Sequence, residues 1–241
     1  MSGLRLEIDL DKVGDNARAL VDRAAPRSIS ITAVTKAMLG SPDLAHVLVG
    51  AGAASLGDSR IENIERMRRA GLDEPMVLLR SPPLSQVDGV VQAGTMSLNT
   101  ETEVLTALAA AARAAGRVHD VMLMVELGDL REGVMPEQLN ETVRHVLSLP
   151  SLRLRGIGTN LACRSGIEPS AENMAELSAL VDSTEATFGI EIEIVSGGNS
   201  ANLDWAFGSS PTGRINNLRL GESVLLGREP LHRNPIPGLH T

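Results

Sequence analysis

Aromatic side chains are almost missing from this 241-residue chain, which has two phenylalanines, one tryptophan and no tyrosine. Because hydrophobic residues still make up 43%, the core must be built from Leu, Val, Ile, Ala and Met. Cysteine is nearly absent too. The single Cys163 excludes an internal disulfide and fits a reducing compartment. No basic, apolar leader opens the sequence, and no unbroken apolar run reaches membrane-spanning length. The balance of 30 acidic against 22 basic residues, a net charge of −8, argues against nucleic acid or an anionic membrane as partner. Histidines 46, 119, 145, 232 and 240 show no metal-ligand spacing and are assigned to the surface. The expectation is a soluble, cytoplasmic protein.

Lysine is the scarcity with chemical content. Only Lys12 and Lys36 are lysines, so nearly every cation in the chain is an arginine. Lys36 closes the apolar, β-branched stretch Ser28–Lys36 (SISITAVTK), just before Gly40-Ser41-Pro42 opens a helix. A desolvated amine can lose its proton and attack a carbonyl, whereas a guanidinium cannot. Taken alone, a strand-end lysine reaching solvent is the better reading. The rest of the chain reverses it.

Residues 4–10 (LRLEIDL) alternate between apolar and charged side chains, predicting a strand with one wet face. Asp11 then caps a helix running to about Ala25. Short apolar strands follow at 28–36, 53–57, 76–80, 95–99, 120–127, 152–160, 191–198 and 216–226, with amphipathic helices between them. Helix starts are marked by Ser41-Pro42, by Ser59 with Glu62, by Thr100 with Glu103, by Met135-Pro136-Glu137 and by Ser170-Ala171-Glu172. Eight such strands predict a parallel (β/α)₈ barrel, an α/β fold of the TIM type. The competing open, doubly wound sheet is weakened because no GxGxxG follows the first strand. The chain reads as one domain, 1–241, with 4–10 as an added strand and 228–241 as a tail.

In such barrels chemistry gathers at the carboxyl ends of the strands. Read in order, those ends carry Lys36, then Asp58, then Asn99, then Glu126, Asp129 and Arg131. Asn160 and Cys163 follow, then Ser196-Gly197-Gly198-Asn199-Ser200, and last Arg219, Gly221 and Glu222. Two glycines, Asn and Ser opening a short helix make an anion cradle, or else an ordinary Gly-rich turn. Arg219 lies in an apolar strand, so it either forms a structural ion pair or donates to a ligand. Arg131 invites the same two readings, with a surface position favoured by its acidic neighbours. Cys163 reads as a small buried residue rather than a nucleophile. A carbonyl-reactive lysine, a phosphate cradle and arginines in one barrel mouth suggest pyridoxal 5'-phosphate.

These positions also match a known family. Ala33-Val34-Thr35-Lys36-Ala37 resembles the cofactor-lysine strand of the alanine racemase family. Residues 56–63 (LGDSRIEN), 124–133 (MVELGDLREG), 158–163 (GTNLAC), 196–203 (SGGNSANL) and 215–222 (INNLRLGE) resemble its ornithine racemase-type branch. The resemblance implies a barrel-bound pyridoxal 5'-phosphate, with Lys36 as the Schiff-base lysine and the base on one face of Cα. Arg219 would donate to the pyridine nitrogen and Arg131 would sit near the phenolic oxygen. Ser200, Gly221 and Glu222 (through its backbone) would hold the phosphate, with Ser196, Gly198 and Asn199 in the same turn. Asn160 stands where alanine racemases have a histidine.

The implied substrate is a small-molecule amino acid, and Asp58, Glu126 and Asp129 near the mouth point to a basic one. Alanine racemases take their opposite-face base, a tyrosine, from the partner subunit's second domain. This chain stops at Thr241 and has no tyrosine. The expectation is therefore a shortened chain or a domain supplied by another polypeptide, with poor racemisation and Cys163 as the one candidate second base. A homodimer is expected from the exposed 4–10 strand. The alternative function is a non-catalytic protein resembling the single-domain pyridoxal-phosphate homeostasis proteins. A metal- or flavin-dependent barrel enzyme is a more distant third.

Overall fold

The computed structural model describes residues 7–163 and 166–241. Eight parallel strands close into a barrel in sequence order: β1 (Ser30–Val34), β2 (Ser55–Asp58), β3 (Met76–Leu78), β4 (Met96–Asn99), β5 (His119–Glu126), β6 (Leu152–Asn160), β7 (Ile194–Ser196) and β8 (Asn217–Leu220). Closure is made by β8 on β1, in a register that sets Arg219 beside Thr32. The helices are α1 (Leu10–Ala24), α2 (Pro42–Gly50), α3 (Ile61–Arg69), α4 (Val87–Gln92), α5 (Thr102–Ala114), α6 (Leu139–Leu147), α7 (Ala171–Phe188), α8 (Leu203–Phe207) and α9 (Glu222–Leu226). Among the described residues, no helix is long and apolar enough to cross a membrane.

The strands read as near-continuous apolar runs because both faces are covered. Their outer faces meet the helices in one large core that includes Leu20, Leu48, Ile64, Leu105, Leu108, Val143 and Leu177. A separate cluster of Val77, Met96, Leu98, Met122 and Met124 lies inside the barrel. Thr32, Ser55, Val77, Met96, Met122, Ile194 and Asn217 line one common cavity. They come from seven of the eight strands, which identifies them as inward-facing.

Several boundaries differ from the sequence reading, each for a local reason. Residues 4–6 of the expected 4–10 strand lie outside the described residues; 7–9 are irregular and Leu10 already belongs to α1. Asp9, not Asp11, caps that helix by accepting from the Lys12 N–H at 3.2 Å. The expected strand at 216–226 ends at Leu220, and Gly221 lets the chain turn into α9. Ser41 caps α2 as expected, and Ser170 caps α7 in a reciprocal box with Asn173. Ser59 and Thr100 do not cap: α3 and α5 follow Arg60 and Glu101, and Asp58 accepts from the Arg60 N–H instead. His119 is not a surface residue. It is 3% exposed, and its Nε2 lies 2.8 Å from the Ser97 hydroxyl.

The 228–241 segment folds back on the barrel. Asn16 holds His240 through two bonds, donating to its carbonyl at 2.9 Å and accepting from its N–H at 2.7 Å. Arg23 donates to the Pro237 carbonyl at 2.6 Å.

Candidate active site

The carboxyl ends of the strands open into a cavity of about 720 Å³. Lys36, Arg131, Asn160, Cys163, Asn199, Ser200, Arg219, Gly221 and Glu222 all line it, so the structure gathers most of the sequence candidates in one place. Lys36 is exposed there, in a single 3₁₀ turn that follows β1. Its apolar neighbours in the wall include Val34, Leu79 and Leu98. Cys163 is exposed rather than buried, which corrects the sequence reading.

Arg219 forms the floor. It is 6% exposed, and among the described residues no carboxylate comes within ion-pair range of it. Its partners are neutral: one Nη donates to Ser196 Oγ, and the other to the Thr159 carbonyl and Asn160 Oδ1, both at 2.7 Å. Ser196 Oγ donates a hydrogen bond to Asn217 Oδ1 at 2.6 Å. Asn217 in turn donates to Thr32 Oγ1 at 3.0 Å, and Thr32 pairs with Ser55 at 2.8 Å. Burial pulls the Arg219 pKa down to about 10, while the nearby Glu132 charge opposes the shift. The group keeps its proton at neutral pH and stays a donor. Beneath it lies a second cavity of about 520 Å³ at the amino end of the barrel, which Arg219 also lines.

The turn after β7 is built differently from the simple cradle read in the sequence. Gly198 has φ +139°, and a Cβ there would run into the Asn202 side chain. Asn202 Oδ1 accepts from the Asn199 N–H at 3.0 Å, and Asn199 Oδ1 accepts from the Ala201 N–H at 2.9 Å. The Asn202 N–H goes to the Asn199 carbonyl. These donors are committed to the turn itself. Ser200 Oγ lies 2.9 Å from Ser223 Oγ and accepts from the Ser223 N–H at 3.2 Å, which draws the turn against the start of α9. Ser200, Gly221 and Glu222 thereby share one wall of the cavity.

None of the three carboxylates expected near the mouth lines the cavity, and two of them serve local structure instead. Asp58 is fully buried and accepts from Thr35 at 2.8 Å, Asn63 at 2.9 Å and the Arg60 N–H at 3.0 Å. Glu126 Oε1 accepts from the Gly128 and Leu130 N–H groups at 2.5 and 3.0 Å. Asp129 stands outside the lining, its pKa raised by burial and by Glu126 against the pull of Arg131. The Glu126 bonds shape the 127–133 loop. Glu126 and Val134 close its base, and Gly133 (φ +157°) leaves no room for a Cβ, which would sit 2.5 Å from the Glu126 nitrogen. The loop presents Arg131 and Glu132 to the cavity.

Sequence reasoning missed five charged residues in this lining: Glu7, Asp9, Lys12, Glu132 and Arg233. Lys12 is paired with Asp9 at 3.6 Å and Arg233 with Glu222 at 3.1 Å. Glu132 directly follows Arg131, a proximity the sequence already displayed. Nothing in the sequence placed α1 or residues 228–241 beside the mouth.

An exposed amine, a buried guanidinium with no ion pair among the described residues and a wall that carries Ser200 fit a phosphorylated carbonyl cofactor. The volume lies within the usual range of small-molecule sites. The family model "Alanine racemase, N-terminal domain" matches residues 8–229. The chain is 36% identical to an ornithine racemase from Acetoanaerobium sticklandii, across 98% of this chain and 67% of that protein. It is 38% identical to a lysine racemase from Thermotoga maritima, across 98% of this chain and 66% of the relative. The crystal structure of alanine racemase from Streptomyces lavendulae superposes with a TM-score of 0.77 at 25% identity, covering 90% of this chain and 57% of that one. The chain thus spans about two thirds of the length of these curated relatives.

Proposed function

The chain belongs to the alanine racemase family, and on that premise we propose that it is the cofactor-binding barrel of an amino-acid racemase acting on basic amino acids. The family's cofactor is pyridoxal 5'-phosphate. Bound in the carboxyl-end cavity, it would supply an electron-accepting ring that weakens the Cα–H bond of the substrate. The observation that carries the reading is Lys36 and Arg219, a buried guanidinium held by neutral partners, in one cavity.

Each residue then has a task that follows from its setting. Lys36 would hold the cofactor through its amine and, once that amine is free, move the proton at one face of Cα. Arg219, fixed by Ser196, Thr159 and Asn160, would donate to the ring nitrogen without surrendering its proton. Ser200, Gly221 and the Glu222 backbone would take the phosphate, and Arg131 would approach the ring from the rim. Cys163 is the candidate for the opposite face. A homodimer belongs to the same reading. Its support is the set of exposed apolar side chains in loops after β1, β5 and β6, with Leu39 62%, Leu130 87% and Ile167 41% exposed.

The test is borohydride reduction of the cofactor-loaded protein followed by peptide mass analysis, alongside chiral assay of ornithine and lysine. The expected result is cofactor fixed to the Lys36 peptide and lost in Lys36→Ala. Lys12 shares the cavity, so Lys12→Ala is the necessary companion and should leave the label on Lys36. Label that survives Lys36→Ala would remove the proposal. The other reading drawn from the sequence is a carrier without catalysis. Loaded protein that binds amino acids yet exchanges no α-proton with solvent would select it.

A further inference from the structure

We propose that Glu132 selects the substrate's side chain, its carboxylate receiving the distal ammonium of a basic amino acid bound in the carboxyl-end cavity. The inference rests on the racemase reading and adds the residue that sets its specificity. Four carboxylate side chains line the cavity: Glu7, Asp9, Glu132 and Glu222. Glu7 is exposed. Asp9 caps α1 and pairs with Lys12. Glu222 pairs with Arg233 at 3.1 Å. Among the described residues Glu132 has a loose ion pair, to Arg131 at 3.9 Å, beyond hydrogen-bonding reach.

Position and protection agree with this role. The Glu132 side chain is 26% exposed, against 53% for Asp9 and 63% for its neighbour Arg131. Its charge reaches the barrel floor, where it opposes the desolvation of Arg219. The loop that carries it is clamped by Glu126 and Gly133, so the carboxylate is held above the strand ends instead of trailing on a mobile segment. A substrate with Cα near Lys36 carries its ammonium three or four methylenes away, inside the same cavity that Glu132 lines. An ammonium there would meet a half-buried carboxylate, where a charge-assisted bond is strong. A neutral side chain would leave Glu132 as it is.

The experiment compares wild type, Glu132→Gln and Glu132→Asp in the cofactor-loaded full chain. Binding of ornithine, lysine and alanine is read from the visible spectrum, and turnover from chiral chromatography. Glu132→Gln should weaken ornithine and lysine by roughly 10–100-fold in apparent affinity. Alanine should stay within about twofold, because its side chain never reaches the rim. Glu132→Asp keeps the charge and should recover part of the preference. Equal weakening of all three amino acids would overturn the inference, since Glu132 would then be serving Arg131 or Arg219. Wild-type preference for ornithine that survives Glu132→Gln would overturn it as well. Wild type that binds no amino acid at all overturns the racemase reading, and the role of Glu132 with it.

Discussion

The inside of the barrel is divided between two kinds of packing. From β7 through β8 and β1 to β2 runs a chain of polar side chains in which Arg219, Ser196, Asn217, Thr32 and Ser55 each hold the next. Across the barrel, β3, β4 and β5 contribute Val77, Met96, Leu98, Met122 and Met124, which ask for no partner. The methionines adapt to irregular space, whereas every polar member is fixed by the hydrogen bonds of its neighbours. A site that must aim a cation belongs on the first side. A wall that must only exclude water can be made from the second.

The largest test of this contrast is Arg219→Met, which carries the methionine solution into the polar side. It strands Ser196 Oγ, Asn160 Oδ1 and the Thr159 carbonyl, at about 1–3 kcal/mol for each acceptor left unpaired. Urea unfolding should show a clear loss of stability together with loss of cofactor affinity. An unchanged midpoint would mean that the polar chain is not a unit.

Met122→Leu, on the opposite side, should cost less than about 1.5 kcal/mol because volume and polarity are nearly conserved. A loss as large as that of Arg219→Met would erase the distinction between the two sides.

A subtler test uses the outer face of the methionine strands. Ser97 alternates with Met96, so it points outward, where it meets buried His119. Burial depresses the His119 pKa from 6.5 to about 4, against a small opposing effect of Asp120. The unfolded chain therefore binds this proton more readily than the folded one. The stability contributed by neutral His119 is complete above pH 6.5 and is lost as pH falls toward 4. The wild-type Tm should decline across that window, and His119→Gln should flatten the decline. Identical pH profiles for the two proteins would show that His119 is not the group responsible.

Much of the fold was legible because strand count and helix spacing are properties of the apolar pattern, and the closed barrel follows that pattern strand by strand. Lys36 and Arg219 were legible for a different reason: each is a residue type that its surroundings do not call for. The acidic residues were not. Asp58 and Glu126 end their strands and Glu132 follows one, and sequence cannot tell a carboxylate that accepts from its own loop from one that faces a cavity. Glu126 meets two N–H groups within four residues of itself, whereas Glu132 meets none. The strand expected through 226 failed because Val224, Leu225 and Leu226 are as apolar as the strand before them. Only the turn at Gly221 separates the two conformations. Burial of His119 escaped notice because histidine spacing was weighed only for metals.

The loop from Leu127 to Gly133 is secured at its two ends, by Glu126 and by the glycine, while its middle residues make few bonds to the barrel. That separation makes the rim of the cavity independent of the fold that carries it. A substitution at Arg131 or Glu132 can therefore alter what faces the cavity without unsettling the strands beneath it.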